Sequence, residues 1–306
     1  MSDTRLQVVY CTDEGYAEPS LTSAFSLLEK ASCGIDLTIM APESSPIDWS
    51  RFERMVAGFP NATFTKCLVP ADRLAAIKTS VPHISPATFL RLLLPEFMSG
   101  RVLYLDGDTG VMGDVAPLAS LDMGHNHVAA VMDAVLDRYM AYVDANATRK
   151  DKRWHRYRDF LALKRSEIQS EDLSHYFNAG VIFIDLDKIK ADPDICAKFG
   201  DVKSAASLHY MDQDWLNRIF AKSTYLLPPN WNLFAKVDRL IVPPMPNDRR
   251  APYLAAKKDP IIIHFIGPHK PWKPWRLSQF LTGFGFVRHY KATQKRLTDH
   301  LGKQNS

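Results

Sequence analysis

The sequence has no long apolar run. No window supports a membrane-spanning helix, and the opening Met1-Ser-Asp-Thr-Arg-Leu-Gln7 has no apolar core of a signal peptide. Cysteine is scarce, with four in 306 residues. Cys11, Cys33, Cys67 and Cys196 form no CxxC pair and no zinc-type spacing, which excludes a disulfide scaffold and a zinc module. These absences predict a reducing, cytoplasmic compartment. Without a leader, the sequons Asn61-Ala-Thr63 and Asn146-Ala-Thr148 read as chance matches. There is no repeat and no low-complexity tract. Gly283-Phe-Gly285 lacks the third glycine and the preceding strand of a dinucleotide fingerprint.

The remaining composition is that of an ordinary globular chain, 46% hydrophobic and 24% charged, long enough for one or two domains. A formal charge of +4 conceals an asymmetry. Residues 270–306 carry eight Lys/Arg against one acid, Asp299, so this tail holds +7 and the rest of the chain −3. In it Lys273, Arg276, Arg288, Lys291, Lys295 and Arg296 interleave with Trp272, Trp275, Phe280, Phe284 and Phe286. A basic, aromatic tail on a slightly acidic body suits an anionic surface, and residues 277–306 are expected either to anchor there or to pack as a terminal helix.

The chain is organised around Arg101-Val-Leu-Tyr-Leu-Asp-Gly-Asp-Thr-Gly-Val111. Val102 to Leu105 read as a strand covered on both faces. Asp106 and Asp108 follow at once, and residues i and i+2 of an extended chain point the same way. Gly107 between them allows close approach of a ligand. Two carboxylates facing one point at the carboxyl edge of a sheet repel each other unless a cation lies between them. A divalent metal, Mn²⁺ or Mg²⁺, is the simplest solution.

The flanking chain reads as a doubly wound α/β opening. Leu6–Cys11 is a strand, residues 12–16 a turn, and Pro19–Ala31 a helix. Ile35–Met40 is a strand, Trp49–Ala57 a helix and Thr63–Val69 a third strand. Ser85-Pro86 starts a further helix that carries Arg91, whose guanidinium can face solvent or reach a carboxylate or phosphate. Val128–Met132 is a strand that ends in Asp133, repeating the carboxylate at a strand end. Residues 145–170 are densely basic with aromatics between the charges. They form a solvated helix or a flap that meets an acidic or sugar-bearing acceptor; nothing else in the chain supports nucleic acid. Tyr176–Leu186 is a strand entered through Asn178-Ala-Gly180. Asp212 is read as the N-cap of the next helix, which leaves Gln213 beside it unexplained. Pro228-Pro-Asn-Trp-Asn232 is a rigid loop, and Ile261–Phe265 is the last strand, with His264 near its end.

The ordered motifs resemble glycosyltransferase family 8, and within it the bacterial lipopolysaccharide galactosyl- and glucosyltransferases. The segment His83-Ile-Ser-Pro-Ala-Thr-Phe-Leu-Arg-Leu92 precedes the DxD motif Tyr104-Leu-Asp-Gly-Asp108, with Val111 and Asp114-Val-Ala-Pro-Leu118 behind it. Phe177-Asn-Ala-Gly180, Asp212-Gln-Asp214 with Asn217, Trp231-Asn232 and His264-Phe-Ile-Gly-Pro-His-Lys-Pro-Trp272 complete the set. The resemblance covers roughly residues 6–276 and implies a GT-A fold over residues 1–276. It also implies a UDP-hexose donor, Mn²⁺ and retention of anomeric configuration. By position it assigns Asp106, Asp108 and His264 to the metal, and Gly267 and Lys270 to the diphosphate. Asp13 and Tyr16 are assigned to the uracil, and Arg91, Asp133, Asn178, Asp212 and Gln213 to the donor sugar. Gly15 stands where relatives often carry Asn, so it offers no side-chain amide there.

The chemistry of such a transfer agrees. A departing diphosphate gains charge in the transition state, and a metal with Lys270 would stabilise it. The carbocation-like sugar needs an oxygen nearby. Gln213 and Asp212 are the candidates, and same-face attack by the acceptor hydroxyl is the alternative. One rival reading takes Asp106 as the nucleophile of a haloacid-dehalogenase-like phosphatase, with Asp108 shuttling the proton and Thr109 orienting the group. That motif needs a late Gly-Asp with a second acid, and Gly200-Asp201 is followed by Val-Lys-Ser-Ala-Ala. The other rival is a non-catalytic nucleotide-sugar binder, against which stands a complete set of metal ligands. The expected partners are therefore a nucleotide-sugar donor, a saccharide or lipopolysaccharide acceptor, and an anionic membrane surface on the cytoplasmic side.

Overall fold

The structure is a computed structural model that describes residues 4–75, 86–273 and 284–304. Ser85, Trp275, Arg276 and Phe280, and the expected boundary between residues 276 and 277, lie outside the described residues. The strands are β1 (Arg5–Cys11), β2 (Gly34–Pro42), β3 (Ala62–Val69), β4 (Arg101–Leu105), β5 (Thr109–Val111), β6 (Val128–Met132), β7 (Phe177–Asp185), β8 (Thr224–Leu226), β9 (Leu233–Phe234) and β10 (Ile262–His264). Seven of them form a mixed sheet in the order β3-β2-β1-β4-β7-β6-β8, and β5-β10-β9 form a small second sheet.

Apolar alternation places the large sheet between two cores. Val8, Tyr10, Leu103 and Leu105 face one side, where they meet Leu21, Phe25 and Leu28 of the helix Glu14–Lys30. Val9, Val102 and Tyr104 face the other, against Leu90, Leu93 and the helix Met211–Phe220. Adjacent residues therefore serve opposite cores, as the two-residue period of a strand requires.

Strand direction then decides which residues meet. β1 and β4 are parallel, with Tyr10 opposite Leu105, so Thr12-Asp13 and Asp106 leave the sheet at one edge. β7 is antiparallel to β4, and its entry Phe177-Asn-Ala-Gly180 lies at that same edge, where Asp106 N–H donates to Gly180 O at 2.8 Å. β6 is antiparallel to β7, with Met132 opposite Phe177, so Asp133 arrives there too. The small sheet adds His264, because β10 pairs with β5 directly after the Asp106-Gly-Asp108 turn.

Several elements differ from the sequence reading. The first helix starts at Glu14, not Pro19, because Asp13 caps it by accepting Tyr16 N–H at 3.0 Å. Pro19 lies inside that helix. The helix expected at Ser85-Pro86 is a 3₁₀ stretch, Pro86–Leu93, followed by one α-turn, Leu94–Phe97. Asp212 is not the N-cap of its helix; Tyr210 holds that position, and Asp212 sits in the first turn.

The basic segment forms the helix Lys152–Ile168, capped by Asp151. Trp154, Tyr157, Leu161, Lys164 and Ile168 are buried on one face, while Lys152, Arg153, Arg156 and Arg158 are exposed on the other. The terminal helix Phe284–Lys303 packs on the body: Leu297 and Leu301 join the core of the first helices, and Tyr290 joins the core around β9 and β10. Among the described residues no helix is long and apolar enough to cross a membrane.

Candidate active site

At the shared sheet edge Asp106, Asp108 and His264 each offer one ligand atom, and these atoms lie within 4.8 Å of one another. His264 Nε2 is 3.1 Å from Asp108 Oδ1 and 3.7 Å from Asp106 Oδ2. The other oxygen of each carboxylate is held from behind. Asp106 Oδ1 accepts from Arg91 at 2.8 Å and from Tyr104 Oη at 2.6 Å. Asp108 Oδ2 accepts from Lys270, whose ammonium also donates to Phe265 O at 2.9 Å. One free oxygen of each carboxylate and one imidazole nitrogen therefore converge. Two hard oxygens with an imidazole suit a divalent first-row cation, so the donor set fits the expected metal.

Burial raises the cost of the Asp108 charge, yet His264, when its ring is protonated, and the Lys270 ammonium hold its carboxyl below the usual carboxylate range. Space is tight as well. A Cβ on Gly180 would overlap the His264 ring and lie 2.8 Å from Asp106 Oδ2. A Cβ on Gly107 would press on Ser20 Oγ.

Arg91 is the hub on the second core's side of this edge. It is buried, lies with its guanidinium carbon 4.4 Å from the centre of the Tyr104 ring, and pairs with Asp212 Oδ2 at 3.0 Å as well as with Asp106. Of the destinations its sequence context left open, the carboxylates are the ones the structure shows. Burial pushes the Asp212 carboxyl up to about 6, and Arg91 offsets part of that rise.

Asp133, Asn178 and Gln213 form one cluster. Asp133 Oδ1 caps the helix Ala134–Ala145, and its Oδ2 lies 3.3 Å from Gln213 Nε2 and 3.5 Å from Asn178 Nδ2. Burial raises the Asp133 carboxyl despite those donors. Gln213 Oε1 accepts from Asn178 Nδ2 at 3.0 Å and from Ala179 N–H at 3.1 Å, and its Nε2 also donates to Tyr176 Oη at 3.2 Å. Its amide is thus engaged at both ends.

The residues expected at the nucleotide lie on the neighbouring loops. Asp13 caps the first helix, and the Tyr16 ring meets Trp272 edge-on at 5.7 Å. Burial raises the Tyr16 phenol, and the Asp108 and Asp106 carboxylates raise it further, which puts Tyr16 within their field. Gly267 adopts φ +81°, a left-handed backbone conformation that glycine takes without strain.

Asn232, Tyr104, Tyr176 and Lys164 have no role that the sequence pattern assigns. In the sequence Asn232 stands out as the end of a Pro-rich loop and as part of the Trp231-Asn232 motif. Lys164 lay among cations read as surface charge, yet it is fully buried and pairs with Asp214 at 2.6 Å and Glu167 at 2.7 Å. Tyr176 Oη donates to the same Asp214 at 2.6 Å. This buried network ties the 152–168 helix to the helix that carries Asp212 and Gln213.

Residues 7–276 match Glycosyl transferase family 8. The chain is 25% identical over 287 residues to General stress protein A of Bacillus subtilis (strain 168), covering 88% of each chain. It is 24% identical over 235 residues to a lipopolysaccharide 1,3-galactosyltransferase of Salmonella typhimurium, covering 74% of this chain and 61% of that one. Among solved structures it superposes on the galactosyltransferase LgtC, in complex with donor and acceptor sugar analogues, with a TM-score of 0.67 at 23% identity, covering 97% of this chain and 96% of that one. At that identity the superposition speaks for the fold, which is the GT-A architecture. The family match does not favour the phosphatase alternative.

Proposed function

The chain belongs to glycosyltransferase family 8, and we propose that it transfers a hexose, galactose or glucose, from a UDP-sugar to a hydroxyl of a saccharide acceptor, with retention of configuration. We assign the reaction to lipopolysaccharide or related surface-glycan synthesis, in keeping with the relative from Salmonella typhimurium. One observation carries the reading: Asp106 Oδ2, Asp108 Oδ1 and His264 Nε2 converge at the carboxyl edge of the large sheet, with Lys270 beside them.

Asp106, Asp108 and His264 would hold Mn²⁺, with Mg²⁺ as the alternative. When bound, the metal supplies Lewis-acid stabilisation of the departing diphosphate. Lys270 supplies a second positive charge, already desolvated and held by Phe265 O, and Gly267 lets its loop close over phosphate. Asp13 and Tyr16 would take the uracil by hydrogen bond and stacking. Arg91, Asp133, Asn178, Asp212 and Gln213 would surround the sugar. Because the Gln213 amide is engaged at both ends, we give it the task of holding the sugar-side wall in place, with Asp212 as the carboxylate facing the sugar. No strong general acid is required, since UDP is a stable leaving group.

Residues 1–276 would form the transferase unit. Residues 277–306 would bring it to an anionic membrane surface on the cytoplasmic side. The apolar side chains Tyr290, Leu297 and Leu301 are spent on the body, so exposed Lys291 and Lys295 would carry that contact by charge.

The test is calorimetry of UDP with metal-stripped protein, with and without Mn²⁺, followed by UDP release across several UDP-hexoses. Mn²⁺-dependent UDP binding and release from one sugar is the expected result. No UDP binding under either condition would overturn the reading.

A further inference from the structure

We propose that Asn232 is a positioning residue that sets the tautomer of His264, at the end of a hydrogen-bond relay that begins on the backbone of Gly180. The relay needs no assumption about amide orientation, because backbone N–H groups can only donate. Gly180 N–H donates to Asn178 Oδ1 at 3.1 Å, which fixes that atom as the oxygen. Ala179 N–H likewise fixes Gln213 Oε1, to which the other end of the Asn178 amide donates at 3.0 Å. Asn178 is therefore oriented twice over, once at each end.

The next two links follow. The Asn232 atom 2.9 Å from Asn178 Oδ1 has to be a donor, so it is Nδ2. The opposite end of that amide is then the oxygen, and it lies 3.1 Å from His264 Nδ1. His264 Nδ1 must carry a proton to meet it. In the neutral ring this leaves the lone pair on Nε2, the atom that faces Asp108 Oδ1 and Asp106 Oδ2.

The opposite tautomer is the one the local charges favour. A proton on Nε2 would donate to Asp108 Oδ1 across the same 3.1 Å. It would also turn two lone pairs against each other between Nδ1 and Asn232 Oδ1. Asn178, Asn232 and His264 are all buried, so bulk water cannot take over a lost partner. Asn232 is thus what keeps a histidine flanked by carboxylates presenting a free electron pair. The value of that pair as a ligand rests on the metal reading given above; the tautomer does not.

The test uses metal-stripped, ¹⁵N-histidine-labelled protein at a pH where the ring is neutral, with His264→Gln identifying the signal. The wild type should show the proton on Nδ1. Asn232→Leu should move it to Nε2 and weaken binding of Mn²⁺ alone by about 10–100-fold, the usual cost of losing such an outer partner. Asn232→Asp loses the donor to Asn178 Oδ1 but keeps an acceptor for Nδ1–H, so it should keep the proton on Nδ1, whereas a merely structural role would make both variants lose it alike. A wild-type ring protonated on Nε2 would overturn the proposal, and so would an unchanged tautomer and Mn²⁺ affinity in Asn232→Leu. If Asn232→Leu does not fold, the wild-type spectrum alone decides. A wild type that binds no Mn²⁺ would sink the metal reading, and the spectrum would still uphold or overturn the relay.

Discussion

Arg91 Nε lies 3.0 Å from Asp212 Oδ2, and both side chains are buried. One guanidinium thereby joins the sheet-edge Asp106 to the first turn of the helix Met211–Phe220. Burial still outweighs this partner and leaves the Asp212 carboxyl at about 6 in the folded state. An unfolded aspartate titrates at about 4, so the folded chain binds the extra proton between these values. The contribution of Asp212 to stability is complete below about pH 4 and is lost as pH rises through about 6. Relative to the non-titrating Asp212→Asn, the wild type should lose about 2–3 kcal/mol of unfolding free energy across that window. Denaturant melts of both proteins at several pH values measure it. A constant gap would show that Asp212 titrates as an ordinary carboxylate.

Asp108 lies 3.1 Å from His264 Nε2, is paired with Lys270, and ionises below the usual range. Asp108→Asn should lower UDP release in Mn²⁺ by about three orders of magnitude, since a lost metal contact is worth several kcal/mol. Near wild-type turnover in the same assay would remove Asp108 from the metal site.

Lys164 and Asp214 are both inaccessible to solvent. Lys164→Met strands the Asp214 charge and should destabilise the protein by about 3–5 kcal/mol. Removing the charge as well, in Lys164→Met with Asp214→Leu, should recover part of that loss. Chemical denaturation of the single and double variants gives the comparison. Additive losses would show that the pair is not coupled.

Gly180 has no room for a methyl group beside His264 and Asp106. Gly180→Ala should cost about 1–3 kcal/mol by overpacking and should weaken Mn²⁺ binding by displacing the His264 ring. Titration calorimetry with Mn²⁺ and a thermal melt read the two effects separately. Wild-type Mn²⁺ affinity in this variant would mean that His264 is not a ligand.

Lys291 and Lys295 are exposed on the terminal helix, whereas Arg296 is engaged with Glu29 at 2.7 Å. If the helix meets an anionic bilayer, Lys291→Glu with Lys295→Glu should release the protein from anionic liposomes at low salt. The apolar contacts of the helix with the body should survive, unlike in a deletion of residues 277–306. Cosedimentation equal to that of the wild type would refute the anchor.

The strands around the site were legible because a buried strand needs a continuous apolar run. Val102–Leu105 and the chain from Tyr176 to Leu186 have one. The first helix was read as starting five residues late, at Pro19, whereas Asp13 caps it by accepting Tyr16 N–H. β9 was not legible, being two residues long, too short for any period to show. Lys164 was read as one cation among many, and only its place on the helix face, three residues beyond Leu161, puts it in the interior.

The sequence by itself determined the chemistry on offer. It placed two carboxylates after a buried strand, a histidine near a strand end with a lysine beyond it, and a motif order that belongs to one family. Only the tertiary structure decided how those groups face one another. The antiparallel insertion of β7 between β4 and β6 brings Asn178 and Gly180 to the edge where Asp106 and Asp133 emerge. The small sheet swings His264 onto Asp108 across 156 positions of sequence, and Asn232 onto His264 across 32. Local pattern reports which face of its own element a side chain occupies. The partner it meets depends on strand order and direction, and the packing of the whole chain settles those.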